Sequence, residues 1–143
     1  MEVHIKGEQC GYCQGGELLA GFGIKICELD VSQLILFKEQ SHPGRVIVAY
    51  QDHVSEMVDI SDEDRSRFFA DVNRAAKAIH KAFGPDKINY GMYGDGGCHL
   101  HCHLVPKYKD GFEWGGVFQM NPGKTFLTED EYAAMIEKIK AAL

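Results

Sequence analysis

The chain has 143 residues, with 21 acidic against 15 basic side chains and a formal net charge of −6. That length suits one domain with a sizeable core, expected over residues 1–143. The acidic balance leaves no Lys/Arg stripe to displace counterions from a nucleic-acid polymer, and no apolar run approaches the length of a membrane span.

Residues 7–16 are rich in glycine and cysteine and predict a tight knuckle. Short β-like runs follow around Phe22–Leu29 and Gln33–Phe37, with Asp30 near the turn. After the breaker Ser41-His42-Pro43-Gly44, Arg45–Tyr50 reads as a strand. Ser61 opens the longest helix signal, with Asp62, Glu63 and Asp64 placed to complement the helix dipole. Phe68, Phe69, Val72, Ala75, Ala76, Ile79 and Phe83 recur at helical spacing, and Gly84-Pro85 ends the run. His80 falls among polar and small residues, on the solvated face. Lys87–Tyr93 and Cys98–Val105 predict strands around a loop containing Gly94, Asp95, Gly96 and Gly97. A final helix begins at Thr128, where Thr128 and Glu131 form a capping-box pattern, and runs to Leu143. The expected fold class is α+β: an antiparallel sheet with one long and one C-terminal helix.

Chemistry concentrates in His99-Leu100-His101-Cys102-His103, followed by Leu104-Val105. In an extended strand the three imidazoles share one face, while Leu100, Cys102 and Leu104 point to the other. Such a row is a poor way to stabilise a sheet, because each ring brings two nitrogens that need partners. It suits a nucleophile, a phosphate donor and a metal ligand held in register. An exposed soluble strand or a purely metal-binding face are the competing readings. Cys10 and Cys13 form a C-x-x-C among five cysteines, an odd number. In a reducing compartment this spacing suits a metal or a redox pair more than a disulfide framework, inert thiols being the third alternative. Cys27, Cys98 and Cys102 lack partner spacing and read as packing residues. The start Met1–Lys6 carries no apolar stretch of the signal-peptide kind, so the expected location is cytoplasmic.

The run 99–105 resembles the His-φ-His-φ-His-φ-φ signature of the histidine triad (HIT) superfamily, φ being apolar. The likeness extends in order over roughly residues 10–120: the Val/Ile strand, Asp52-His53, the long helix, Asn89 and the glycine loop. It implies a HIT-like fold and a nucleotide hydrolase or transferase acting at an α-phosphate, typically as a homodimer. His101 would be the nucleophile and His103 a donor to a phosphate oxygen. Asn89, Gly96 and Gly97 would add phosphate or leaving-group contacts, although an Asn at a strand start is as often a turn residue. Some members, and the related galactose-1-phosphate uridylyltransferases, complete a C-x-x-C zinc site with two histidines. The corresponding set is Cys10, Cys13, His53 and His99, a structural zinc site.

Arg45 departs from the pattern, standing where many members have a fourth histidine. It cannot act as an acid or base at neutral pH but can pair with phosphate, and His42 could replace the histidine only if its loop folded back. Lys107-Tyr108-Lys109 and Trp114 read as polyphosphate contacts, a partner surface or a solvated loop. The implied ligand is a nucleotide or nucleotide conjugate, of the dinucleoside polyphosphate or nucleoside phosphoramidate class. A non-catalytic nucleotide-binding regulator and a zinc-binding interaction module are the alternatives.

Overall fold

A computed structural model describes residues 7–143; Met1–Lys6, on which the cytoplasmic expectation rests, lie outside them. The knuckle forms two short helices, α1 (Gly11–Gln14) and α2 (Gly16–Ala20), where only a tight turn was expected. Then come β1 (Gly23–Glu28), β2 (Ser32–Phe37), β3 (Val46–Tyr50), the long helix α3 (Asp62–Phe83), β4 (Lys87–Gly91), β5 (His101–Lys107) and α4 (Glu129–Ala142). The five strands form one sheet in the order β1-β2-β3-β5-β4, every neighbouring pair antiparallel. The α+β class stands as expected.

Helix α3 forms where its signals place it. Ser61 Oγ accepts from Asp64 N at 3.1 Å, and Gly84 closes the helix with φ of 60°. Phe68, Val72, Ala75, Ala76 and Ile79 are buried, but Phe69 is exposed and lies off the packed stripe. The sheet face toward α3 and α4 supplies Leu34, Leu36, Val46, Val48, Cys102 and Leu104 to the main core. Buried Asp71 ties this layer to the first hairpin: its carboxylate accepts from Asp30 N, Val31 N and Ser32 Oγ at 3.1, 2.9 and 2.7 Å. The opposite face holds a smaller cluster, Leu19, Ile35, Phe37, Ile47 and Ala49, against Tyr12 and Phe22. The histidines lie on that second face.

Strand β5 begins three residues later than expected, because Cys98 adopts φ of 50° and turns the chain out of the glycine loop. It continues through Pro106. Pairing with β3 ends at Leu104, so the missing Pro106 N–H falls where the strand has only β4 beside it.

Candidate active site

Three contacts fix the tautomers of the three imidazoles, with hydrogen on Nδ1 of His101 and on Nε2 of His99 and His103. His101 Nδ1 donates to the His99 carbonyl at 2.6 Å, which leaves Nε2 with its lone pair. Burial holds its pKa below the usual histidine range, keeping the ring neutral at physiological pH. His99 is oriented the other way: Nε2 donates to Tyr50 O at 2.7 Å, so Nδ1 carries the lone pair. His103 presents Nδ1 to the Arg45 guanidinium at 3.2 Å. Since arginine only donates, His103 Nδ1 accepts and Nε2 bears the hydrogen.

The His99 lone pair points into a cluster drawn from three loops. Cys10 precedes α1 and Cys13 lies three residues on, one helical turn away, so both thiols share a side. His53 comes from the loop after β3, which is pinned to the start of β5 by the Leu100 N to Val54 O bond of 2.7 Å. The four ligand atoms of Cys10, Cys13, His53 and His99 lie within 4.8 Å of one another. Cys10 Sγ and Cys13 Sγ stand 3.4 and 3.5 Å from His99 Nδ1, and Cys13 Sγ is 3.4 Å from His53 Nδ1. The two Nδ1 atoms are 3.2 Å apart. A tetrahedron with Zn–S of about 2.3 Å and Zn–N of about 2.0–2.1 Å has S···N edges of about 3.5 Å and an N···N edge of about 3.3 Å. The donor set therefore fits a zinc-sized ion. Burial, then the neighbouring Cys10 sulfur, push the Cys13 thiol up to about 11.

His101 and His103 line a cavity of about 370 Å³ whose apolar walls include Tyr12, Leu18, Phe22, Phe37 and Ile47. The Tyr12 ring sits 5.1 Å from both His99 and His101, bridging the Cys/His cluster and the nucleophile candidate. His101 also borders a second cavity of about 450 Å³, between the loop at Ser55–Met57 and that at Met92–Asp95.

Residues 23–110 match the HIT domain. The chain belongs to the HIT family. Its superfamily comprises nucleotide-binding hydrolases and transferases. Over 119 residues it is 26% identical to the Bacillus subtilis (strain 168) protein called Protein hit, spanning 78% of this chain and 80% of that one. A histidine triad protein of Sinorhizobium meliloti 1021 superposes with a TM-score of 0.81 at 25% identity, covering 90% of this chain and 95% of the other. A Zn-bound histidine triad family protein from Mycobacterium smegmatis shares the fold with a TM-score of 0.66 at 21% identity, over 96% and 94% of the two chains.

Within this HIT domain the expected ligand-contacting residues are placed unevenly. Gly97 lines the cavity beside His101 and His103. Gly96 is exposed and lines neither cavity at His101. Asn89 shares the histidine face of the sheet but opposes Val105, two positions beyond the Gly91–His103 pair. It borders a separate depression with Lys87, Lys107 and Trp114, and Phe118 sits against Gly91 between it and the triad. Arg45 is not at the surface of the site. Its exposure is 0%, and it lies behind His103, with no accessible surface to offer an incoming phosphate. His42 does not replace it, being buried and bonded to Glu113 Oε1 at 2.8 Å. Lys107, read as a possible polyphosphate contact, is also buried and donates to the carbonyls of Glu113 and Gly116, each at 2.7 Å.

Sequence reasoning missed Tyr12, Phe118 and Met120. Tyr12 was findable, since it sits inside the C-x-x-C; the stretch 110–127 carries no periodicity that would have placed the other two.

Proposed function

We propose that this chain hydrolyses or transfers nucleotides at the α-phosphate through a nucleotidyl intermediate on His101. The observation that carries the reading is the 2.6 Å bond from His101 Nδ1 to the His99 carbonyl. It fixes the tautomer, so the Nε2 lone pair is available to a ligand in the adjoining cavity. A nucleoside would lie against the apolar wall of Tyr12, Phe22 and Phe37. His101 Nε2 forms a bond to the α-phosphorus as the leaving group departs with its bonding electrons; water then cleaves the P–N bond and restores the imidazole. His103 Nε2–H donates to a non-bridging oxygen, whose charge grows in the transition state.

Cys10, Cys13, His53 and His99 would hold a structural zinc ion, a reading also supported by the Zn-bound relative of the same fold. The ion would supply a fixed anchor between the N-terminal knuckle and the start of β5. We further read the protein as a homodimer, because β4 is an outer strand flanked by the exposed side chains of Tyr90 and Tyr93. Sedimentation at a monomer mass would remove that part.

Incubation with adenosine 5′-phosphoramidate followed by intact-mass measurement tests the chemistry. An adenylyl adduct is expected on the wild type and absent from His101→Ala. Nucleotide binding without adduct or turnover would instead favour the regulatory reading, and zinc without nucleotide binding the interaction module.

A further inference from the structure

Arg45 is an expensive residue for a core. Its guanidinium is fully buried, and among the described residues no carboxylate lies within ion-pairing distance of it. Nη1 donates to Gln119 O at 3.2 Å, and Nη2 is shared between His103 Nδ1 at 3.2 Å and Met120 Sδ at 3.4 Å. Nε is buried with no partner. Phe37 and Phe118 cover the cation, with ring centroids 4.1 and 5.1 Å away. Burial lowers its pKa to about 10, which leaves the charge in place at neutral pH. A hydrophobic side chain of similar volume would pack here with a smaller desolvation penalty. The one contact with a consequence for chemistry is the bond to His103.

We propose that Arg45 is a positioning residue that locks His103 as a neutral Nε2–H donor. The inference rests on the function proposed above, in which His103 faces the phosphoryl oxygen. Three points support it. Arg45 immediately precedes β3, and Ile47 of that strand pairs with His103, so backbone hydrogen bonds fix the approach of one side chain to the other. The guanidinium has no acceptor atom, so the Nδ1–H tautomer of His103 would set donor against donor. A protonated His103 would add a second cation beside the first in a dry environment. Burial, then the Arg45 charge, hold the ring down to about 3 accordingly. His103 therefore gives a hydrogen bond to the phosphoryl group and keeps its proton throughout turnover.

The test combines tautomer and rate. Long-range imidazole ¹H–¹⁵N spectra of the purified protein, assigned with His103→Gln, report which nitrogen carries hydrogen. The wild type is expected to show His103 as Nε2–H from pH 6 to 8. Arg45→Met, which keeps an unbranched chain between the two phenylalanines, should populate the Nδ1–H form. It should also lose about 100-fold in kcat for adenosine 5′-phosphoramidate, with KM changed less than about threefold. Arg45→Lys, which keeps a donor and the charge, should retain the tautomer and recover most of that loss. An Nδ1–H or protonated His103 in the wild type overturns the proposal, as does Arg45→Met with an unchanged tautomer. If Arg45→Met does not fold, the wild-type and Arg45→Lys spectra still decide. Absence of turnover in the wild type would remove the catalytic reading, whereas the tautomer spectra decide the lock independently of it.

Discussion

The two ends of the histidine row use the same ring in opposite senses. His99 donates from Nε2 to the Tyr50 carbonyl and turns its Nδ1 lone pair toward two thiols and a second imidazole. His103 accepts at Nδ1 from Arg45 and keeps its hydrogen on Nε2. One end is assembled from loops and gathers donors without a counter-charge of their own. The other is held by paired strands and contains a permanent cation. Strand alternation puts all three rings on one face, but the second contact each ring makes decides which nitrogen is offered and whether it gives or accepts.

His101 lies between these ends, so removing it should break both at once in function while leaving the fold intact. For His101→Ala the expected loss of turnover is on the order of 10⁴-fold or more, because no neighbouring group replaces a nucleophile. The rate of phosphoramidate hydrolysis measures it. Retention of more than a few per cent of the activity would assign the attack to another group.

Breaking the loop-built end should mainly cost stability. Cys10→Ser would leave three ligands for the ion and detach the knuckle that covers one side of the cavity. We expect zinc content to fall well below one per chain. Stability should drop by about 3–5 kcal/mol, or about 10–15 °C in Tm at this chain length. Cys27→Ser, which lies outside the cluster, should keep full zinc. Equal zinc in Cys10→Ser would dismiss the four-ligand centre.

The strand-built end should reveal itself through pH. His103 is held down to about 3 in the folded protein, against an ordinary value of 6.5, by burial and then by the Arg45 charge. Below about pH 6.5 the unfolded chain thus binds a proton that the folded chain refuses. Stability from this group is fully present above pH 6.5 and is lost as pH falls toward 3, by on the order of 1.4 kcal/mol per pH unit. Urea unfolding at pH 7, 6 and 5 should show a shallower decline for His103→Gln than for the wild type. Parallel curves would mean that His103 accepts the proton while folded.

How much of this was legible in the sequence follows the range of each interaction. Local signals placed α3 from Ser61 to Gly84 and placed α4 at the Thr128 capping box, because caps and periodicity act within a few residues. The four candidate metal ligands were implied as a set by the resemblance to zinc-containing family members, since only the C-x-x-C is a metal signal by its own spacing, and the structure brings those four together. The burial of Arg45 was not legible because it depends on a neighbour 58 positions away, His103. The place of Asn89 was hidden for a related reason: its height along β4 depends on register with β5. Asp71 gave no sign in sequence, since an acidic residue within a helical stripe looks like an interruption until the β1–β2 turn is seen donating to it.

Cys102 offers the smallest and most selective perturbation, because it lies between His101 and His103 in sequence and on the opposite face in space. It pairs with Val48 and joins the core beneath α3, with 1% exposure. Burial pushes its thiol up to about 11, so it contributes as a small apolar side chain and not as a thiolate. Cys102→Ala removes one sulfur atom and leaves a cavity below the size of a methylene pair. The expected cost is about 1 kcal/mol, readable as a Tm decrease of about 3 °C. Zinc content, the His103 tautomer and phosphoramidate turnover should all stay at wild-type levels. If turnover fell tenfold with stability nearly unchanged, the two faces of β5 would be coupled. The division of roles along the strand would then depend on core packing as well as on the contacts made by each ring.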